Sequence, residues 1–180
     1  MALGTMGPTR DLGPAIVAWG ATVIAEIFEE VRLTLTGAEA GEVFEALHGA
    51  TPVDSIVGGY SACSIIIPAT RITLATLNTL LPGGTNSGGA SGRVAIDPTK
   101  IVGKSMYDNG LPLFVKPIVD GVAGANGTWM RLERTYPTAN WDIPFNLRDQ
   151  RVFSLTFKAH PDETSKYLWS AGTVAEGTSY

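Results

Sequence analysis

Seven carboxylates crowd into residues 26–54: Glu26, Glu29, Glu30, Glu39, Glu42, Glu45 and Asp54, against a single base, Arg32. That stretch carries a net −6 while the whole chain carries −4, so the remainder is +2. Acids at this density have two uses consistent with the pattern. They can be the solvated face of a hairpin, or they can form a surface that repels another polyanion. Repulsion matters wherever DNA must pass without sticking, because phosphate contacts otherwise dominate its binding. No paired-carboxylate spacing for general acid–base work stands out.

The other chemistry-bearing residues are sparse. Gly103-Lys104-Ser105 ends like a phosphate-binding loop, but the glycine required five positions before Gly103 is replaced by Pro98. Residues 83–92 are glycine-rich without the GxGxxG spacing of a dinucleotide site. Asn126-Gly-Thr128 fits a glycosylation sequon, a match short enough to arise by chance. Cys63 is the sole cysteine, which excludes an internal disulfide and a cysteine zinc site. It lies in an apolar strand pattern and reads as a small core residue. His48 and His160 are the only histidines and have no metal-ligand spacing. The expectation is a non-enzyme with no cofactor, no metal and no catalytic residue.

The elements that position these residues are mostly strands. Ala15–Trp19 followed by Gly20 reads as a strand and turn. Residues 22–36 alternate, with Val23, Ala25, Ile27, Val31, Leu33 and Leu35 on one face. Thr22, Glu26, Glu30, Arg32, Thr34 and Thr36 fall on the other, with Ile24 and Phe28 as exceptions. Residues 37–41, bounded by Gly37 and Gly41, read as a hairpin loop, with Glu42 to Leu47 returning. Thr51 to Asp54 reads as a connector, and Tyr60 to Ile67 as a strand ended by Pro68. Apolar spacing predicts one helix over about 71–81, capped by Thr70 or Thr73 and stopped by Pro82.

Residues 82–92 and 121–127 read as glycine-rich loops. Residues 93–102 hold a possible strand pair around Asp97-Pro98, and Pro112 and Pro117 make 111–119 an irregular or edge strand. Residues 129–135 and 151–158 are the last strands, and 161–180 a loose tail on which Tyr167, Leu168 and Trp169 could dock. Short strands, turn signals and one helix together indicate a mainly β fold, a β-sandwich or small barrel with one flanking α-helix.

Composition narrows the class further. At 180 residues the chain is one domain's length. Only 17% of residues are charged against 44% apolar, so much of the surface is expected to lie against other copies. A negative net charge argues against a dedicated nucleic-acid binder. Residues 13–25, the longest apolar stretch, fall short of the ~20 a spanning helix needs. Residues 1–10 carry no signal-peptide pattern, and a soluble protein made in a reducing compartment is expected.

Several segments, in order, resemble bacteriophage tail tube proteins (major tail proteins). They are residues 13–20, 51–58 with the strand at 60–67 and the helix at 72–81, Gly103 to Tyr107 with 111–118, and Arg151 to Asp162. The resemblance covers about 11–163, so the expected division is a tail-tube-like β domain over 1–163 and a C-terminal tail over 164–180.

The resemblance implies a self-assembling structural protein of the virion, made in the host cytoplasm. Six copies form a ring, and long hairpins join into an inter-subunit β-barrel. Rings stack into a hollow tube for genome ejection. Glu26, Glu30, Glu42 and Glu45 are then candidate lumen-facing acids. Gly83, Gly84, Asn86, Gly88, Gly121, Gly124 and Asn126 are candidate inter-ring loop residues. Partners implied are the chain itself, with tail sheath, tape measure, baseplate and tail terminator proteins, and DNA in transit. The alternatives are another virion part of the same fold, a tail terminator or head–tail connector, or a β-sandwich binding or adhesion module presenting Trp129, Tyr136 and Trp141.

Overall fold

The computed structural model describes residues 15–24, 27, 30–37, 41–44, 52–56, 58–70, 72–87, 93–119, 122–124, 126–138 and 152–173. The fold is mainly β, with one short α-helix beside a large antiparallel sheet. The main strands are β1 (Ala15–Trp19), β2 (Thr22–Ile24), β3 (Arg32–Gly37), β4 (Gly41–Phe44), β5 (Pro52–Ile56) and β6 (Tyr60–Ala69). Helix α1 (Leu74–Leu80) follows, then β7 (Gly84–Ser87) and β8 (Arg93–Ile96). The chain ends with β9 (Leu111–Val119), β10 (Val122–Ala123), β11 (Trp129–Pro137), β12 (Phe153–His160) and β13 (Trp169–Gly172).

The large sheet runs β2-β1-β9-β11-β12-β6-β3. Its two ends, β2 and β3, belong to one run of chain, residues 22–37. Between them Ile27 bridges Ala69 at the end of β6. The pairing path therefore returns to the stretch it started from, and the sheet wraps around one core. Val17, Trp19, Ile24, Cys63, Ile65, Ile67, Leu113, Leu132, Leu155 and Phe157 point inward, and Leu80 closes the core from α1. Trp19 organises its centre: the indole N–H donates to the Thr135 carbonyl at 3.1 Å, and the ring packs against Tyr136 and Phe157 at centroid distances of 6.4 and 5.7 Å.

The β1–β2 turn is a two-residue link with Gly20 at φ +55°, the sign a tight hairpin needs at its first central position. The Gly20 N–H also donates to the Pro112 carbonyl at 2.8 Å. The positive φ is what favours glycine here; an added Cβ would sit 2.9 Å from Leu111 Cδ1, the movable end of an exposed side chain. Thr73 caps α1, its hydroxyl accepting the Thr76 N–H at 3.1 Å, one of the two caps expected. The helix occupies 74–80, inside the span expected from its spacing.

Several expectations need correction. The alternation across 22–36 changes parity: Ile24 is buried and Val23 exposed, whereas Leu33 and Leu35 face the core and Arg32, Thr34 and Thr36 face solvent. Residues 22–24 pair with β1 and residues 32–37 with β6, and a shift of one position between them exchanges the faces. Gly37 and Gly41, the expected bounds of a hairpin loop, are both strand residues, while 38–40 lie outside the described residues. Gly37 lies opposite Tyr60 and Gly41 opposite Ile56, so four steps on one side match four on the other. The return strand begins at Pro52, in the segment read as a connector, and not at Glu42. Two glycines in an extended strand look like a turn in sequence, and only the register separates the cases.

The prolines also misled. β9 is central, between β1 and β11. Residues 113–115 pair on both sides, and Pro112 and Pro117 flank that doubly paired stretch without entering it. Pro68 lies inside β6 beyond Ile66, the last β6 residue in the β3 ladder. Residues 84–87, read as loop, form β7 and pair with β8, so the strand partner of 93–96 lies before it and not around Asp97-Pro98. Asp97 instead caps a 3-10 turn, accepting the Thr99 N–H at 3.0 Å. The stretch read as a loose tail contributes β13, paired with β11 through Trp169 and Leu132, while Leu168 packs against the core.

Two neighbours on β12 test the face assignment. Phe157→Ala should lower unfolding free energy by about 3–5 kcal/mol in urea titrations, and Ser154→Ala should change it by less than about 0.5 kcal/mol.

Candidate functional site

Gly37 lies opposite Tyr60 and Gly41 opposite Ile56, so the β3–β6 and β4–β5 pairs share one register and belong to one arm. Its lower part is built into the sheet, because β12 pairs with β6 from Ala69 down to Ser64. Its upper part, β4 with β5, is a two-stranded ribbon, and among the described residues no third strand pairs with it. β4, from Gly41 to Phe44, spans roughly 10 Å at about 3.3 Å per residue. Two-stranded ribbons are marginal alone in water, and each free edge carries backbone N–H and C=O groups able to pair with another strand.

The sheet below the arm presents a face on which most side chains are short. Thr34, Ser64 and Lys158 form one cross-strand row, and Arg32, Ile66 and Thr156 the next. Ala62, Thr36 and Ser154 extend it. Arg32 forms an ion pair with Glu30 at the rim, beside a shallow hollow that also touches Ile66, Pro68 and Ser154. Both partners are largely exposed, so the pair adds little stability, but it offsets the Glu30 charge locally.

The expected site residues fall in different surroundings. Glu30 is exposed and paired as described. Glu42 lies in β4 opposite Ser55. Glu26 and Glu45 lie outside the described residues, as do Gly88, Gly121 and Trp141. Gly83 and Gly84 form the joint between α1 and the β7–β8 hairpin. Gly83, at φ +73°, would place a Cβ 2.8 Å from the Asp97 carbonyl oxygen. Asn86 lies in β7 opposite Val94. Gly124 is buried, donating to the Pro117 carbonyl at 2.6 Å and accepting the Trp129 indole N–H at 2.8 Å. Asn126 starts the 3-10 turn before β11.

No reacting centre forms among the described residues. Cys63 is 1% exposed, and burial pushes its thiol up, away from the reactive thiolate. No group of three His, Cys, Asp or Glu side chains there could hold a metal ion. On the far face of β11, Arg131 and Glu133 form a buried ion pair at 2.9 Å, with Ser170 donating to Glu133 at 3.3 Å. The Lys116 ammonium lies 4.3 Å from the Trp129 ring centroid. Such buried pairs fix local geometry more than they add stability. Sequence reasoning missed them, although charges at alternate positions of an apolar strand, Arg131 and Glu133, were the available signal.

No protein-family model matches the chain, and no characterised protein matches it in sequence. A solved structure does match in shape. It is a chain of the sheath–tube complex of an extracellular contractile injection system, PVC, in the extended state. The TM-score is 0.58 at 12% identity, over 92% of this chain and 94% of that one. This protein shares the fold of that chain. Trp129 and Tyr136, the aromatics of the adhesion alternative, are both only partly exposed here, and Tyr136 packs against the core.

Proposed function

We propose that this chain is the tube-forming subunit of a phage-tail-like assembly. Copies would join edge to edge through the long hairpin, close into six-membered rings, and stack into a hollow tube that carries DNA to a host cell. The observation that carries the reading is the β4–β5 ribbon, whose two edges are unpaired among the described residues, beside a sheet whose two ends lie on one run of chain. A neighbouring copy's arm is the simplest group able to satisfy both edges in a ring, since closure removes every edge. The low charge content agrees with extensive burial between copies. No enzymatic step is needed.

Within that reading the short-side-chain face of β3, β6 and β12 lies toward the channel, and Glu26, Glu30, Glu42 and Glu45 supply negative charge along it. The candidate loop residues Gly83, Gly84, Asn86, Gly88, Gly121, Gly124 and Asn126 lie between stacked rings. Sheath, tape measure, baseplate and terminator proteins are the partners such a tube requires. Among the described residues no helix is long and apolar enough to cross a membrane. A tail terminator or connector of the same fold would form rings without open-ended stacking, and an adhesion module would form neither.

Negative-stain microscopy with light scattering is expected to show rings or tubes of the purified protein. Replacing residues 42–55 by Asn-Gly, the favoured two-residue hairpin link, is expected to leave the melting transition in place and abolish rings. Persistent rings in that variant would contradict the arm's role. Exchanging Glu26, Glu30, Glu42 and Glu45 for lysine should slow DNA passage in reconstituted particles. Unchanged passage would remove the repulsive-channel idea.

A further inference from the structure

The loop 101–110 and the turn 161–168 meet beside the paired ends of β11 and β12, and Tyr107 sits at the junction. Its phenol oxygen accepts the Glu163 N–H at 2.9 Å. Its ring stands edge-on to His160, with centroids 6.4 Å apart and planes at 76°. The Arg134 guanidinium lies over the same ring, 5.2 Å from its centroid. Arg134 is also the cross-strand partner of His160, and its Nε donates to Asp162 Oδ1 at 3.4 Å.

Asp162 organises the turn, its other oxygen accepting the Thr164 and Ser165 N–H groups at 3.0 Å each. The loop is held in turn by Gly110 donating to the Tyr107 carbonyl at 3.0 Å and Asn109 to the Ser105 carbonyl at 3.3 Å. His160 Nε2 is buried and has no hydrogen-bond partner.

We propose that this cluster is an acid-released clasp, in which neutral His160 lets Tyr107 hold the 101–110 loop against the 161–168 turn and a proton on His160 opens it. A proton would turn buried Nε2 into a donor with no acceptor. It would also place a new cation between Arg134, opposite on β11, and Lys158, two residues back on β12. Asp162 is the nearby counter-charge, but Arg134, Thr164 and Ser165 already engage it. Glu163 is tied to Tyr107 by its backbone and exposed in its side chain. Lys104 and Asp108, the charges of the loop itself, are exposed.

The sign of the response follows from the same surroundings. Burial first, and then Lys158, hold His160 below its ordinary value near 6.5. A released His160 titrates near 6.5, so the closed clasp is fully favoured above that and is lost as pH falls through the depressed value. The Ser165 N–H bond, foremost, keeps Asp162 below the ordinary carboxylate range, so it stays charged through that window and does not cause the response.

Hydrogen–deuterium exchange reads the clasp directly. After correction for intrinsic rates, exchange in 101–110 and 161–168 should accelerate by about fivefold or more between about pH 7.5 and pH 5, with β9 and β12 unchanged. His160→Phe keeps a ring against Tyr107 and should lose the acceleration, while His48→Gln should keep it. A wild-type protein without acceleration, or His160→Phe accelerating as the wild type does, overturns the proposal. If His160→Phe fails to fold, Tyr107→Phe decides: both segments should exchange fast at neutral pH, and wild-type-slow exchange there would equally overturn it.

Discussion

Every strand edge leaves backbone N–H and C=O groups that must find a partner or water, and this protein handles that constraint in two ways at once. The main sheet brings its two ends back to one run of chain, residues 22–37, with β2 paired to β1, Ile27 bridged to Ala69 and β3 paired to β6. The arm does the opposite. Among the described residues β4 and β5 pair only with each other and carry two edges out of the sheet. The closed part supplies stability, through a core built on Trp19, Phe157 and the isoleucines of β6. The open part is the element through which copies are proposed to associate.

The rest of the molecule adapts to that division. Residues 62–66 and 32–36 belong to the sheet and the root of the arm together; their inward side chains are apolar, and most of their outward ones are short, with Arg32 and Ile66 the exceptions. Gly20 and Gly83 occupy left-handed backbone where the chain must turn tightly against neighbours. The buried Arg131–Glu133 pair, the Lys116 contact with Trp129 and the Tyr107 junction fix the opposite side, where β9 and β11 are crossed by the 3-10 turn and β13.

How much of this was legible in the sequence depended on whether the signal was local. The helix and its Thr73 cap, the β1–β2 turn at Gly20 and the core positions Leu33, Leu35 and Cys63 follow from spacing and residue type alone. The mainly β class follows from the same evidence. The hairpin's true turn did not, because Gly37 and Gly41 mimic a loop, and only pairing with Tyr60 and Ile56 shows an extended strand. Pro112 and Pro117 suggested an edge strand, yet a central strand tolerates proline just outside its doubly paired residues. Of the four candidate acids, Glu30 gained a partner that period-two reasoning could not supply, and Glu42 took its place on the arm.

The pairing of the arm in the assembled protein is the point on which the account turns. A cryo-electron microscopy map of the polymer measures it directly. The account predicts each β4–β5 ribbon flanked on both sides by ribbons of adjacent copies, at the ~4.8 Å spacing of hydrogen-bonded strands, around a central channel. Ribbons left in solvent, or copies joined through any other surface with both arm edges unpaired, would contradict it.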